Sequence, residues 1–147
     1  MTVDIWSDVR CPFCYIGKHK FEAALEKFPN KDTVKVNWHS FQLDPTIKTS
    51  PGLSTLDYFT QVKNVSKEDA LQMFNRMETM ASENGLTIDS NSTVLANSFR
   101  AHLLIQLAIQ KGLANELEEA LFKAHFSEAK NIDDQETLVE IGCFSRA

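Results

Sequence analysis

The stretch "SDVRCPFCYIGK", Ser7 to Lys18, holds Cys11 and Cys14, two of the chain's three cysteines, with two residues between them. Thiols at this spacing can share a metal ion, pack as small apolar groups, or close and reopen a disulfide. A zinc site takes four ligands. Here Cys11 and Cys14 supply two, no second C-x-x-C follows, and His39, His102, His125 and Cys143 show no short ligand spacing. The pair falls between a short apolar run and a helical pattern, and a C-x-x-C at a strand-to-helix junction is the setting of a redox dithiol.

Position separates the two thiols. Pro12 suits the first turn of a helix, where its missing N–H has no intrahelical partner, and this leaves Cys11 at or just before the helix N-terminus. Unpaired N–H groups and the helix dipole favour a thiolate there, so Cys11 is the expected attacking residue. Cys14 shares a stripe with Gly17, Phe21, Ala24, Leu25 and Phe28, which predicts an inward-facing, resolving thiol. Lys18 and His19 add positive character close by.

The elements that must position the pair can be read from periodicity. "TVDIW", residues 2–6, predicts a strand ending at the cysteines, and a helix follows, stopping before Pro29. "TVKVNWHSF", residues 33–41, alternates with Val34, Val36, Trp38 and Ser40 on one face, which predicts a second strand and hence a parallel β-α-β unit. From Ser54 the pattern is helical. "STLD" and "SKED" are capping-box-like starts, and Gly85 and Gly112 are helix stops. Expected buried stripes are Ala70, Phe74, Met77 and Ala81, then Ala96, Phe99, Leu103, Leu104, Leu107 and Ala108 on a central helix. Leu117, Ala120, Leu121 and Ala124 follow on the next helix, and Leu138, Val139 and Ile141 on the last.

Three segments, "VDIWSDVRCPFCYIGK", "NSFRAHLLIQLAIQKG" and "LFKAHFSEAKNIDDQETLVEIG", in this order, resemble the DsbA-like thioredoxin-fold oxidoreductases, and within them the cytoplasmic FrnE-like branch. The resemblance implies an α/β, thioredoxin-like fold carrying a large inserted helical domain. On that scheme residues 1–50 form the β-α-β part with the CxxC, 51–130 the helical insertion, and 131–147 the start of the return to the thioredoxin-like part. It also implies Cys11 as nucleophile, Cys14 as its partner, and Pro12 and Phe13 as the dipeptide that tunes redox poise. Relatives of the glutathione-transferase and isomerase kind carry Ser at the first cysteine position, and Cys11 departs from them. The C-terminal strand hairpin, its cis-proline and the closing helix of the family have no counterpart before the ending "GCFSRA". The expectation is a shortened member with impaired activity, whose open sheet edge is covered by a second copy in a homodimer.

With 147 residues, 43% hydrophobic and 24% charged, the chain suits one globular domain, and its formal charge of -5 opposes nucleic-acid binding. No apolar run approaches a membrane span and no signal-peptide pattern opens the chain; the expected location is cytoplasmic. The expected partners are protein or small thiol and disulfide substrates, without nucleic acid, membrane, metal or cofactor. Met73, Met77 and Met80 read as core packing, with a peptide groove as the alternative. His102 reads as a packed, hydrogen-bonded helix histidine. Glu116, Glu118, Glu119, Asp133, Asp134 and Glu136 read as solvated faces and first-turn acids.

Overall fold

A computed structural model describes residues 1–144, without the side chain of Phe144; the end of the expected return segment, residues 145–147, lies outside the described residues. Strand β1, Thr2–Ser7, pairs in parallel with β2, Lys35–Ser40, in a register running from Thr2 opposite Lys35 to Ser7 opposite Ser40. Helix α1, Pro12–Glu26, makes the crossover. These two strands are the whole sheet among the described residues.

The remainder is helical: α2, Thr55–Asp57, runs directly into a π turn, Tyr58–Val62. Then come α3, Lys67–Glu83, α4, Phe99–Gln110, α5, Ala114–Phe126, and α6, Gln135–Phe144. Both expected N-caps form. The Asp57 N–H donates to the Ser54 hydroxyl at 3.0 Å and the Asp69 N–H to the Ser66 hydroxyl at 3.1 Å, each satisfying one donor that a helix start leaves unpaired. Gly85 and Gly112 stop their helices in the left-handed region, at φ of 73° and 70°. The Leu86 and Leu113 N–H groups then reach back to the Ala81 and Ala108 carbonyls, a closure that glycine allows without strain.

A single hydrophobic cluster joins the β-α-β unit to the helices, with Val9 and Ile16 packed among Ile105, Leu117, Leu121, Phe122 and Ile132. The Tyr15 ring stacks on Phe122 at 4.9 Å, locking the start of α1 onto α5. Because the dithiol opens α1, this contact fixes its position against the helical part.

Two expected stripes are rotated and a third is narrower than expected. On α1 the buried side chains are Tyr15, Ile16 and Lys18, while Gly17, Ala24 and Phe28 are exposed and Phe21 and Leu25 half-buried. The helix leans on α3 and α5, and its Phe21 and Leu25 side borders an open hollow beside Trp6, Val36 and Trp38. On α4, Phe99, Leu103 and Leu107 are 56%, 51% and 56% exposed and Ala101, His102 and Ile105 are buried instead, while Ala108, and Ala96 ahead of the helix, are buried as expected. That helix is apolar nearly all round, so spacing alone leaves its orientation open. On α6, Leu138 and Ile141 are buried and Val139 is exposed. The α3 stripe of Ala70, Phe74, Met77 and Ala81 is buried as the periodicity indicates.

Candidate active site

Cys11 is the N-cap of α1 with extended backbone, and Pro12 is the first helical residue. The Cys14 and Tyr15 N–H groups close the first turn on the Cys11 carbonyl at 3.1 and 3.3 Å. Both thiols are half-buried and unbridged, and Phe13 between them is exposed. Cys11 lines a cavity of about 400 Å³ together with Pro12 and Phe13. Cys14 packs against the core, although most of the stripe that its spacing predicts is turned outward. Cys143 is exposed on α6, apart from the pair in sequence and element.

The two sulfurs act as one titrating unit. A hydrogen bond between them favours the anion on Cys14, pulling its thiol down to about 6, and pushes the Cys11 thiol up, with burial adding to the rise. A pair that shares one proton loses the first easily and the second with difficulty. The N–H groups of Phe13 and Cys14 favour charge on Cys11, as the helix start leads one to expect, but they are outweighed. Backbone at Asp8 and the Ser7 hydroxyl favour it on Cys14. The thiolate of this arrangement is therefore stabilised one turn deeper than the helix dipole alone indicates.

Beneath the pair lies a set of buried polar groups. Asp8, 1% exposed, accepts from the Arg10 N–H at 3.2 Å, the Leu43 N–H at 2.9 Å and His102 Nε2 at 3.2 Å. Burial pushes its carboxyl up, but the bonds from His102, Leu43 and Arg10 outweigh that and hold it below the ordinary value. His102 is thus the packed, hydrogen-bonded helix histidine expected, and its bond to Asp8 also supports the cysteine loop. Lys18, also buried, ion-pairs with Glu22 at 2.6 Å and with Glu119 at 2.9 Å, and His19 meets Glu119 at 2.8 Å. The positive charge expected beside the cysteines is spent on α5.

Glu118 corrects the reading of the acidic residues as solvated. It is 2% exposed, its Oε1 has no hydrogen-bond partner, and burial pushes its carboxyl up to about 7 against the opposing influence of Ser7, His102 and Lys18. Glu116 and Glu136 are exposed as expected, and Asp134 caps α6 by accepting from the Thr137 N–H at 2.9 Å. Sequence spacing held the signal for Glu118, since Glu118, Phe122 and His125 share one helical face with an apolar residue in the middle. His125 is fully buried, and burial pushes its imidazole down to about 3.

His19, Glu22 and Glu119 bring ligand atoms within 4.8 Å of one another. The Lys18 ammonium already pairs with both carboxylates there, so a metal ion would have to displace a buried cation.

The chain belongs to the DSBA-like thioredoxin domain family, whose pattern matches residues 2–142. It is 32% identical over 144 residues to the protein YwbO of Bacillus subtilis, covering 96% of this chain and 65% of that one. A probable DsbA oxidoreductase from Streptomyces coelicolor superposes with a TM-score of 0.91 at 32% identity, over 100% of this chain and 63% of that one. The cytosolic disulfide reductase DsbM of Pseudomonas aeruginosa shares the fold, with a TM-score of 0.63 at 18% identity over 98% of this chain and 63% of its own. The chain thus spans slightly less than two thirds of these relatives' lengths.

The two buried groups of α5 make opposite contributions to stability. Below about pH 6.5 the unfolded chain protonates His125 while the folded protein does not until about 3, so stability falls with pH across that window. Between the ordinary value of 4.5 and about 7 the folded protein keeps the Glu118 proton that the unfolded chain has released, so stability falls as pH rises. At about 1.4 kcal/mol per tenfold change in proton affinity, the Glu118 effect is on the order of 3 kcal/mol. Urea unfolding of Glu118→Gln from pH 4.5 to 7.5 is expected to lose the neutral-side decline and keep the acid-side one. An unchanged decline would show that Glu118 ionises normally.

Proposed function

We propose that the protein catalyses thiol–disulfide exchange through the Cys11-Pro12-Phe13-Cys14 dithiol. The observation that carries this reading is the division of labour between the sulfurs: Cys11 borders the cavity and Cys14 packs inward, one turn along the same helix. Membership of the family supports a disulfide oxidoreductase in general. A DsbM structure with GSH is a neighbour of this fold, which supports small thiols as partners alongside protein disulfides. DsbM is a cytosolic disulfide reductase, which supports the proposed cytoplasmic location; no helix among the described residues is long and apolar enough to cross a membrane.

In the reductive direction, one proton passes between the hydrogen-bonded sulfurs to leave the charge on Cys11. Cys11 then attacks a substrate disulfide R–S–S–R′, forming a Cys11–S–S–R bond and releasing R′S⁻, which takes up a proton. Cys14 loses its proton and attacks Cys11, closing the Cys11–Cys14 bridge and releasing RS⁻. The substrate gains two electrons and the dithiol gives up two; a small thiol in excess returns them. Glu118 holds its proton to about 7, which suits a group exchanging protons with Cys14 near neutral pH. The oxidative direction runs the same steps backwards.

Exchange needs both thiols. Cys14→Ser is therefore expected to trap mixed disulfides on Cys11 and to lose at least about 100-fold in turnover in an insulin-reduction assay, with Cys11→Ser equally inactive. Full turnover by Cys14→Ser would instead favour a glutathione-transferase or isomerase type of reaction on small molecules, and equal wild-type and double-Ser rates would favour a non-catalytic remnant. Strand β1 pairs only with β2 among the described residues, and an unpaired edge invites another chain. The proposed homodimer should appear in sedimentation velocity as a concentration-dependent shift; a monomer at every concentration would remove it.

A further inference from the structure

The cavity beside Cys11 has walls that are almost entirely apolar, formed by Tyr58, Phe59, Met73, Ile88 and Leu95 among others. Its about 400 Å³ lies in the roughly 300–1,000 Å³ range of small-molecule sites. The π turn carries Tyr58 and Phe59 into this wall, and Met73 and Met77 join them, so the methionines serve cavity and core together. Four uncharged polar side chains, Thr55, Ser90, Thr93 and His125, interrupt the apolar wall, and the Thr55 and Thr93 hydroxyls already donate to the Thr93 and Asp89 carbonyls. Ser90 and His125 both line it, each is 3% exposed, and Ser90 Oγ and His125 Nδ1 have no hydrogen-bond partner. A buried polar atom is costly to leave without a partner, and two in one cavity wall mark where a ligand's polar atom would be received.

Charge at the outer edge has one sign in excess. Arg10 and Lys63 line the cavity with a single carboxylate, Asp44, whose Oδ2 lies 3.8 Å from Lys63 Nζ. Lys63 is about half exposed and stands 5.6 Å from the Tyr58 ring centre. Two cations facing one anion leave room for one further negative group. A peptide backbone fits this wall poorly, because each of its N–H and C=O groups needs a partner and Thr55, Ser90, Thr93 and His125 are the polar side chains of the wall apart from the charged edge.

We propose that this cavity binds the aromatic body of a small anionic thiol or disulfide, with its carboxylate between Arg10 and Lys63, a polar atom at Ser90 and His125, and its sulfur at Cys11. The assignment names the substrate class of the exchange reaction and rests on that reading for its sulfur chemistry, but the binding itself does not.

The test uses two inert probes that share one body and differ in charge, 4-phenylbutyrate and 4-phenylbutylamine, and reads the rate at which iodoacetamide alkylates Cys11 in the full chain. The acid is expected to slow alkylation of Cys11 at least about fivefold at saturation while leaving Cys143 untouched, and the amine to need about tenfold higher concentration, the equivalent of about 1.4 kcal/mol. Lys63→Glu, at an exposed position, should reverse that order. Val94→Trp, which fills the cavity from its wall, should abolish protection, with circular dichroism checking its fold. Equal protection by both probes, none by either, an order unchanged in Lys63→Glu, or protection by a cysteine-free apolar peptide and not by the acid would overturn the assignment. Protection without insulin reduction would leave the binding site standing and remove the exchange reaction; insulin reduction without protection would do the reverse.

Discussion

The buried Asp8 carboxylate is the constraint on which the geometry of the cysteine pair depends. It follows β1 directly and accepts from Arg10 in the cysteine loop, from Leu43 in the segment after β2, and from His102 on α4. One side chain thereby ties both strands' C-terminal ends to the helical part. A carboxylate out of water is tolerated where its lone pairs are taken up, and here three donors from three segments do so. The orientation of α4 follows from this bond, since His102 has to face inward, and Phe99, Leu103 and Leu107 are turned outward as a result.

Around that anchor the site is a balance of buried charges that cannot all ionise together. Asp8 stays charged because it is hydrogen-bonded; Glu118 keeps its proton to about 7 and His125 stays neutral because burial is not offset. The negative charge that Cys11 and Cys14 share is thus spared a second buried carboxylate at full charge. Lys18 lies in the same region, yet its pairs with Glu22 and Glu119 direct it to the joint between α1 and α5. Its work is mechanical: it holds the helix that carries the dithiol.

Much of this was legible in the sequence where one local rule decides the outcome. Ser54 and Ser66 cap as their Asp partners indicate, Gly85 and Gly112 end helices, and the alternation through Val36, Trp38 and Ser40 gave a parallel partner for β1. Cys11 at the helix start borders the cavity and Cys14, one turn on and within reach of it, packs on the core, as their positions at the helix N-terminus indicate. Legibility ended where long-range contacts decide. The faces of α1 and α4 were misread because Tyr15 answers to Phe122 and His102 to Asp8, each about a hundred residues away. Glu118 reads as a solvated acid by type although its spacing with Phe122 and His125 places it on a part-apolar face, and nothing local to Asp8 marks it as a carboxylate that the fold buries. The methionines divided between core and cavity, which periodicity alone does not separate.

The central claim is that Cys11 and Cys14 form one shared-proton unit with Cys11 on the accessible side. Alkylation of the reduced chain with iodoacetamide across pH 4 to 10, resolved by peptide mass spectrometry, tests it directly, with exposed Cys143 as internal reference. Cys11, the accessible sulfur, should be modified first, its rate following the pair's first proton loss with a midpoint well below the free-thiol value of about 8.5, and the oxidised chain should lose alkylation at Cys11 and Cys14 together. A Cys11 midpoint matching that of Cys143, or Cys14 modified ahead of Cys11, would contradict it.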